Sequence, residues 1–179
     1  SQFQIVPFVV NAMADSIARW IESELLNGSE DKIEGLSKVN TLTAAAATVI
    51  TADELIDVQE EIPDVYQASA IWVMSKKTRT TIRKLKDKDG NYILNKDATA
   101  RWGYTLFGKD VYVSENMPDM AAKKRAIIYG DMSGLAVKIS EEMNIEVLRE
   151  KFATQHAVGI VAWLEMDAKI QNTQKLTGL

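Results

Sequence analysis

Apolar residues recur every four positions near the start of the chain, at Val9, Met13, Ile17, Ile21 and Leu25. Val10 and Trp20 widen that stripe, while Asp15, Arg19, Glu22 and Ser23 occupy the other side. The period predicts an amphipathic helix of about five turns. Pro7 suits its first turn, where a backbone N–H has no acceptor within the helix. Asn27-Gly28 ends it, because glycine takes the left-handed conformation after a last turn. Residues 29–38 are polar and predict a loop. Ala44 to Ala47 are small and apolar. Thr51 followed by Glu54 predicts a capping box, with Leu55, Val58 and Ile62 as the buried face of a short helix that Pro63 stops. Residues 70–74 form an apolar run that predicts a buried strand. Ser75 then caps a helix to about Leu85, with Thr78, Ile82 and Leu85 on one side.

Beyond that helix the period changes to two. Asp89-Gly90 predicts a turn before Tyr92-Ile93-Leu94. Gly108 precedes an alternating strand, Val111 and Val113 against Asp110 and Tyr112, which Met117-Pro118 breaks. Residues 126–129 predict another strand, with Gly130-Asp131 as a turn. Leu135, Val137 and Ile139 alternate, and so do Ile145 and Val147. The longest signal spans residues 157–170. One face reads Val158, Ile160, Ala162, Leu164, Met166; the other reads Ala157, Gly159, Val161, Trp163, Glu165, Asp167. Its first half is apolar on both faces, which predicts burial on both sides. Its second half alternates. A strand of about 14 residues reaches ~45 Å, enough to run between two lobes.

The 179 residues hold 21 basic and 25 acidic side chains, a net charge of −4. That balance gives no general attraction to nucleic acid or anionic membrane. Cysteine is absent, which excludes disulfides, thiolate metal sites and a thiol nucleophile. His156 is the one histidine, so no site can use two imidazoles. At 46% hydrophobic residues, the chain is not of the disordered class. A chain this long buries about 70% of its unfolded surface, ample for one domain or two small ones. The start, SQFQIVPFVV, lacks the basic region and cleavage site of a signal peptide. The longest apolar run, residues 157–164, is far short of the ~20 residues that span a bilayer. Asn27-Gly28-Ser29 matches a glycosylation acceptor but is read as the helix stop.

Candidate chemistry is sparse. Lys76, Lys77, Arg79, Arg83, Lys84, Lys86 and Lys88 make the densest charge feature. It reads as the solvated side of the helix carrying Thr78, Ile82 and Leu85, with a phosphate-binding helix or intersubunit ion pairs as alternatives. No aromatic interleaves with it in sequence, as a base-stacking platform requires. Asp53, Glu54, Asp57, Glu60, Glu61 and Asp64 lack both a histidine and the spacing of a calcium loop, so they read as a solvated face. Glu165 and Asp167, two apart on one strand face, are a carboxylate pair that reads as the polar side of a strand before an acid/base couple. His156 beside the apolar run reads as structural. No nucleophile elbow, phosphate-cradling glycine loop or dinucleotide fingerprint is present. Trp102 lies in a polar stretch and is read evenly as core or as a subunit contact beside Arg101, since aromatics and arginine are enriched at interfaces.

The order of segments adds a further signal. A helix ending Leu25-Leu26-Asn27-Gly28 runs into Ile33-Glu34-Gly35-Leu36. Then come Trp72-Val73-Met74-Ser75, Leu85-Lys86-Asp87-Lys88-Asp89-Gly90-Asn91-Tyr92, Thr105-Leu106-Phe107-Gly108, Val111-Tyr112-Val113-Ser114-Glu115-Asn116-Met117-Pro118 and Ile128-Tyr129-Gly130-Asp131. Phe152 leads into the long strand. In this order the motifs resemble the major capsid protein of tailed bacteriophages, the Hong Kong phage fold, over essentially the whole chain. The resemblance implies a two-lobed α+β subunit. Residues 1–36 and 138–165 would form a peripheral domain with a spine helix, and residues 37–137 and 166–179 an axial domain. It implies self-assembly through hexamers and pentamers into an icosahedral shell that packages double-stranded DNA non-specifically, located in the virion. Scaffold or maturation protease and portal are the implied partners, with no membrane, cofactor, metal or catalytic residues. A nanocompartment shell of the encapsulin type is the alternative on the same fold.

In that family an N-terminal arm and an extended loop precede the spine helix. Here the chain starts near the helix, so a truncated product that assembles poorly alone is expected. Some members cross-link a lysine to an asparagine with help from a glutamate. The asparagine position falls on Gln155 and the glutamate position on Ala162, so no cross-linking is expected. The exposed turn with Lys84, Lys86, Asp87, Lys88 and Asp89, charged with both signs, is the expected subunit contact, together with Arg101 and Trp102.

Overall fold

The computed structural model describes residues 2–30, 32–149 and 159–179. The first helix, α1 (Gln2–Asn27), starts ahead of Pro7, so the proline sits inside the helix and not in its first turn. There it removes one backbone hydrogen bond, a cost the other turns of this helix outweigh. α1 ends where the sequence predicts, with the Gly28 N–H bonded to the Glu24 carbonyl at 2.9 Å.

The chain then turns back under the helix end. Gly35 N–H donates to the Ala168 carbonyl (2.7 Å) and Leu36 N–H to the Leu25 carbonyl (2.9 Å). Gly35 has φ +52°, and a Cβ there would fall on the Glu24 carbonyl oxygen and within 2.8 Å of the Leu25 oxygen. Only glycine fits this crossing.

Two helices follow, α2 (Ala52–Glu60) and the short α3 (Asp64–Gln67). The Thr51–Glu54 capping box is present, with Thr51 N–H to Glu54 Oε2 at 2.8 Å and Glu54 N–H to Thr51 Oγ1 at 3.2 Å. Pro63 ends one helix and is also the N-cap of α3, a turn that no periodic pattern announces. β1 (Ile71–Met74) leads into α4 (Lys76–Arg83), whose Thr78 N–H bonds the Ser75 hydroxyl at 3.2 Å.

β2 (Leu94–Lys96), β3 (Tyr104–Leu106), β4 (Lys109–Val113), β5 (Ile127–Gly130) and β8 (Leu176–Gly178) complete a six-stranded sheet ordered β2-β3-β4-β1-β5-β8. β1 runs parallel to β4 and antiparallel to β5. Two expectations shift here. Tyr92 lies outside β2 and pairs only with Lys86 in an isolated bridge. β3 arises at the end of a stretch that reads as polar, because its pairing with β2 and β4, not its own pattern, makes it a strand.

Alternation along β1 and β5 sorts the core. Trp72, Met74, Ile127 and Tyr129 face α2 and α4 and pack with Leu55, Val58, Ile62 and Ile82. Val73 and Ile128 face the other way, onto Leu26, Leu36 and Val39. Trp72 is fully buried, donates Nε1–H to the Leu106 carbonyl at 3.0 Å and lies 4.4 Å from the Tyr129 ring. The Tyr129 hydroxyl donates to Gln67 Oε1, and Gln67 in turn donates to the Gln59 and Ile62 carbonyls at 2.8 and 2.9 Å. These bonds lock α3 to the sheet.

β6 (Leu135–Leu148) and β7 (Gly159–Ile170) pair antiparallel as a separate two-stranded ribbon. The two alternating stretches of β6 form one strand, with register shifts between residues 139 and 141 and again between 141 and 144. Ala157 and Val158, with Phe152, Gln155 and His156, lie outside the described residues.

Candidate assembly surfaces

Register assigns the two faces of the ribbon. Val137 pairs with Ala168, Ile139 with Met166, Ile145 with Ala162 and Val147 with Ile160. Directly paired residues share a face, so these eight residues and Leu164 make one continuous apolar face. α1 and the segment after it cover part of it: Ile21 and Leu25 of the helix and Ile33 beyond it pack on Leu164, Met166 and Ala168. The cover stops at β7. On the outer strand Val137 is 47% and Ile139 56% exposed.

The opposite face carries Lys138, Asp167, Glu165, Val161 and Trp163. Val161 and Trp163 are 41% and 39% exposed. Among the described residues of this half of the strand the expected burial on both sides is not met at Val161 and Trp163, because α1 packs on the other face. A two-stranded ribbon is marginal in water without further packing, and apolar side chains on both its faces call for a partner.

The charged turn is built around one carboxylate. Asp87 Oδ1 accepts the N–H groups of Asp89 and Asn91 at 2.9 and 2.8 Å, and Asp87 N–H donates to the Asn91 carbonyl at 2.7 Å. These bonds, that from Asn91 first, hold its carboxyl below the ordinary aspartate range. Lys84, Lys86, Lys88 and Asp89 project from it, all exposed. The Lys86 ammonium lies 5.0 Å from the Tyr92 ring centroid.

A second turn, between β2 and β3, is held by Asp97, which accepts Thr99 N–H at 2.9 Å and its hydroxyl at 2.7 Å. It presents Arg101 and Trp102. The Arg101 guanidinium is 4.8 Å from the Trp102 ring, which tilts on Tyr112 at 5.0 Å. Tyr112 donates its hydroxyl to Glu22 Oε1 on α1 at 3.0 Å, and burial followed by this carboxylate raises its pKa. Trp102 is thus half-buried, with its packing inside the chain. Arg101 lies outside that packing and is exposed.

The basic helix also has an aromatic that the local sequence does not announce. Tyr104, from β3, lies under Arg79 at 4.3 Å and Arg83 at 5.2 Å. Its signal is non-local and could not be read from spacing. Arg125 is a further residue that sequence reasoning missed. Its guanidinium donates to the Leu26 carbonyl at 3.2 Å and the Ser37 carbonyl at 3.3 Å, joining the end of α1 to the sheet. Burial lowers its pKa.

The carboxylate candidates are dispersed. Glu165 and Asp167 are exposed on the outer ribbon face, and Asp167 is engaged with the Ala168 N–H at 2.8 Å. Asp53, Asp57, Glu60, Glu61 and Asp64 are exposed on α2 and α3. Glu54 serves as the cap and also accepts the Ala45 N–H at 2.7 Å. No group of acids or histidine among the described residues converges as a metal site. An open groove of about 520 Å³ lies between residues 41–50, residues 120–127 and Leu179. Its charged lining is Lys123, Lys124 and Arg125, with no carboxylate side chain to pair with them.

Apolar strand residues left exposed in one chain mark a surface that a partner can cover. The model of the phage capsid family matches residues 1–179. The chain belongs to the phage capsid family. No curated protein matches it. Its α+β fold is that of the capsid of an empty GTA particle, with a TM-score of 0.80 at 24% identity over 97% of this chain, and of a native GTA particle, with 0.79 at 23% over 97%. A structure of Gordonia phage Cozz aligns over 97% with a TM-score of 0.67 at 12% identity. The chain spans 65%, 64% and 62% of the length of those three chains.

As a phage capsid family member, this chain carries Ala162 on the apolar ribbon face, paired with Ile145 and half-buried. Gln155 is outside the described residues.

Proposed function

We propose that this chain is a major capsid subunit that self-assembles into an icosahedral head enclosing double-stranded DNA. The observation that carries this reading is the ribbon, whose apolar side chains Val137, Ile139, Val161 and Trp163 stay uncovered in a single chain. Modest contacts repeated in a closed shell act together, so no single interface has to be large. On this reading residues 1–36 and 138–165 form the peripheral domain, and residues 37–137 and 166–179 the axial domain. Strands β6 and β7 cross both boundaries, as expected of a strand pair running between lobes.

Lys84, Lys86, Asp87, Lys88, Asp89 and Arg101 lie at subunit contacts. Trp102 belongs there through its exposed edge, since its ring also packs on Tyr112. DNA is held without sequence preference, scaffold or maturation protease and portal are the assembly partners, and the subunit works in the virion without catalysis. Cross-linking is not part of the mechanism, because Ala162 offers no carboxylate. The nanocompartment alternative has no observation in its favour beside the phage family match.

Electron microscopy of the full-length gene product tests the proposal. Closed icosahedral particles, filled with DNA when made with the neighbouring genes, are the expected result. Soluble monomers under every condition would overturn it.

A further inference from the structure

The strongest feature outside the ribbon is a separation of charge across one layer. Residues 53–64 hold six carboxylates and no basic residue, whereas residues 76–89 hold seven basic residues and two acids. α2 and α4 share a face of the sheet, packing on Trp72, Met74 and Tyr129. α2 contacts β5, and α4 follows directly after β1 and contacts β2. Among the described residues the single ion pair is Lys175–Asp131 at 3.7 Å, so neither group is neutralised internally.

Each group also has an apolar centre. Asp53, Ile56 and Glu60 follow at helical spacing on the outer side of α2. Ile56 is 42% exposed there, and Val65 on α3 is 77% exposed. On the basic side Tyr92 is 54% exposed under Lys86. Exposed apolar residues ringed by charge have the anatomy of an interface, and opposite signs on two separate faces make the contact heterologous. Glu115 and Asp119 border the basic side near Lys76 and Lys84 but leave the turn at Lys86 and Lys88 clear.

We infer that the acidic α2–α3 face docks, head to tail, on the basic face of α4 and the Lys84–Lys88 turn of a second copy of this chain. The inference rests on the capsid reading and names the mating surfaces for it. Repetition of one such contact closes a ring. Its electrostatic part weakens with salt, as the screening length falls from about 10 Å at 0.1 M to 3 Å at 1 M.

The test reverses each face in the full-length protein. One variant carries Asp57→Lys, Glu60→Lys and Glu61→Lys; the other carries Lys84→Glu, Lys86→Glu and Lys88→Glu. Each alone should need at least about tenfold more protein to assemble, because like charges then meet. An equimolar mixture should recover rings of subunits but not closed shells, since each reversed face finds an opposite partner whereas a five-membered ring cannot alternate two chains. Native mass spectrometry should then show only even-membered rings, because the two chains must alternate. Circular dichroism melting checks that both variants fold. A neutral variant, Asp57→Asn with Glu60→Gln and Glu61→Gln, covers a folding failure and should assemble with a weaker salt dependence than the unmodified chain.

Shells from either reversed variant at the unmodified concentration would overturn these surfaces and leave the capsid reading standing. So would a folded mixture that forms no rings, or an unchanged salt dependence in the neutral variant. Absence of particles from the unmodified protein would overturn the capsid reading instead, and this inference with it.

Discussion

Trp72→Phe probes the link between the sheet and its helical layer. Trp72 is fully buried, and its Nε1–H is bonded to the Leu106 carbonyl at 3.0 Å. Phenylalanine keeps a ring against Tyr129 but cannot donate. The Leu106 carbonyl keeps its partner in the two-residue turn to Lys109, so losing the indole hydrogen bond costs about 0.5–1.5 kcal/mol. The smaller ring gives up about 40 Å² of buried area, about 1 kcal/mol at ~25 cal/mol per Å². The expected loss is therefore about 1.5–2.5 kcal/mol, a sizeable part of the ~5–15 kcal/mol that holds a typical domain.

In urea, with a slope of about 2 kcal/mol/M, the midpoint should fall by about 1 M at constant slope. Far-UV circular dichroism is the right probe, because removing a tryptophan alters the fluorescence itself. Trp163→Phe is the control: it lies on the exposed ribbon face, so its midpoint should move by less than about 0.3 M. A Trp72→Phe midpoint within about 0.3 M of the parent would refute the argument that this hydrogen bond and its ring packing hold the layers together.

Gly35→Ala should destabilise by more than the ~1–2 kcal/mol of a left-handed alanine, because the new methyl also meets two α1 carbonyls; thermal melting that is unchanged would contradict the crossing geometry. Trp163→Ser should leave the melting of the isolated chain nearly unchanged yet lower the particle yield of the full-length protein, read by sedimentation. Glu54 accepts the Ala45 and Thr51 N–H groups, and these bonds, Ala45's first, hold its pKa below the ordinary glutamate range. A depressed folded pKa gives stability above the unfolded value that is lost as pH falls through the folded one. The stability gap between the parent and Glu54→Gln should thus be full above about pH 5 and close as the carboxylate protonates; a gap that stays constant to pH 3 would exclude this role. Thr51→Ala should cost about 0.5–2 kcal/mol through the same cap.

Local rules account for much of the fold. The α1 stripe, the Thr51–Glu54 box, the Ser75 cap and the alternation of Leu135 to Ile139 are written in neighbouring residues, and each element forms where they stand. What depends on distant partners was not legible. β3 becomes a strand only because Leu94–Lys96 and Lys109–Val113 lie on either side of it. β8 is three residues long and forms by pairing with β5. Tyr104 reaches Arg79 and Arg83 across the layer, and Arg125 reaches the Leu26 carbonyl 99 residues away.

The ribbon divides along the same line. Its sequence carries apolar residues on both faces, and that alone marks a surface that must be covered. Whether α1 or another chain covers each face is a question of packing. α1 is a single rod on one side of a two-stranded ribbon, so it buries Met166 and Ala168 and leaves Val137, Ile139 and Trp163 in solvent. Sequence by itself determined that this chain has more apolar strand surface than one amphipathic helix can hide. Tertiary structure decided which residues remain outside, because α1 lies against β7 on one face and leaves β6 and the opposite face beyond its reach.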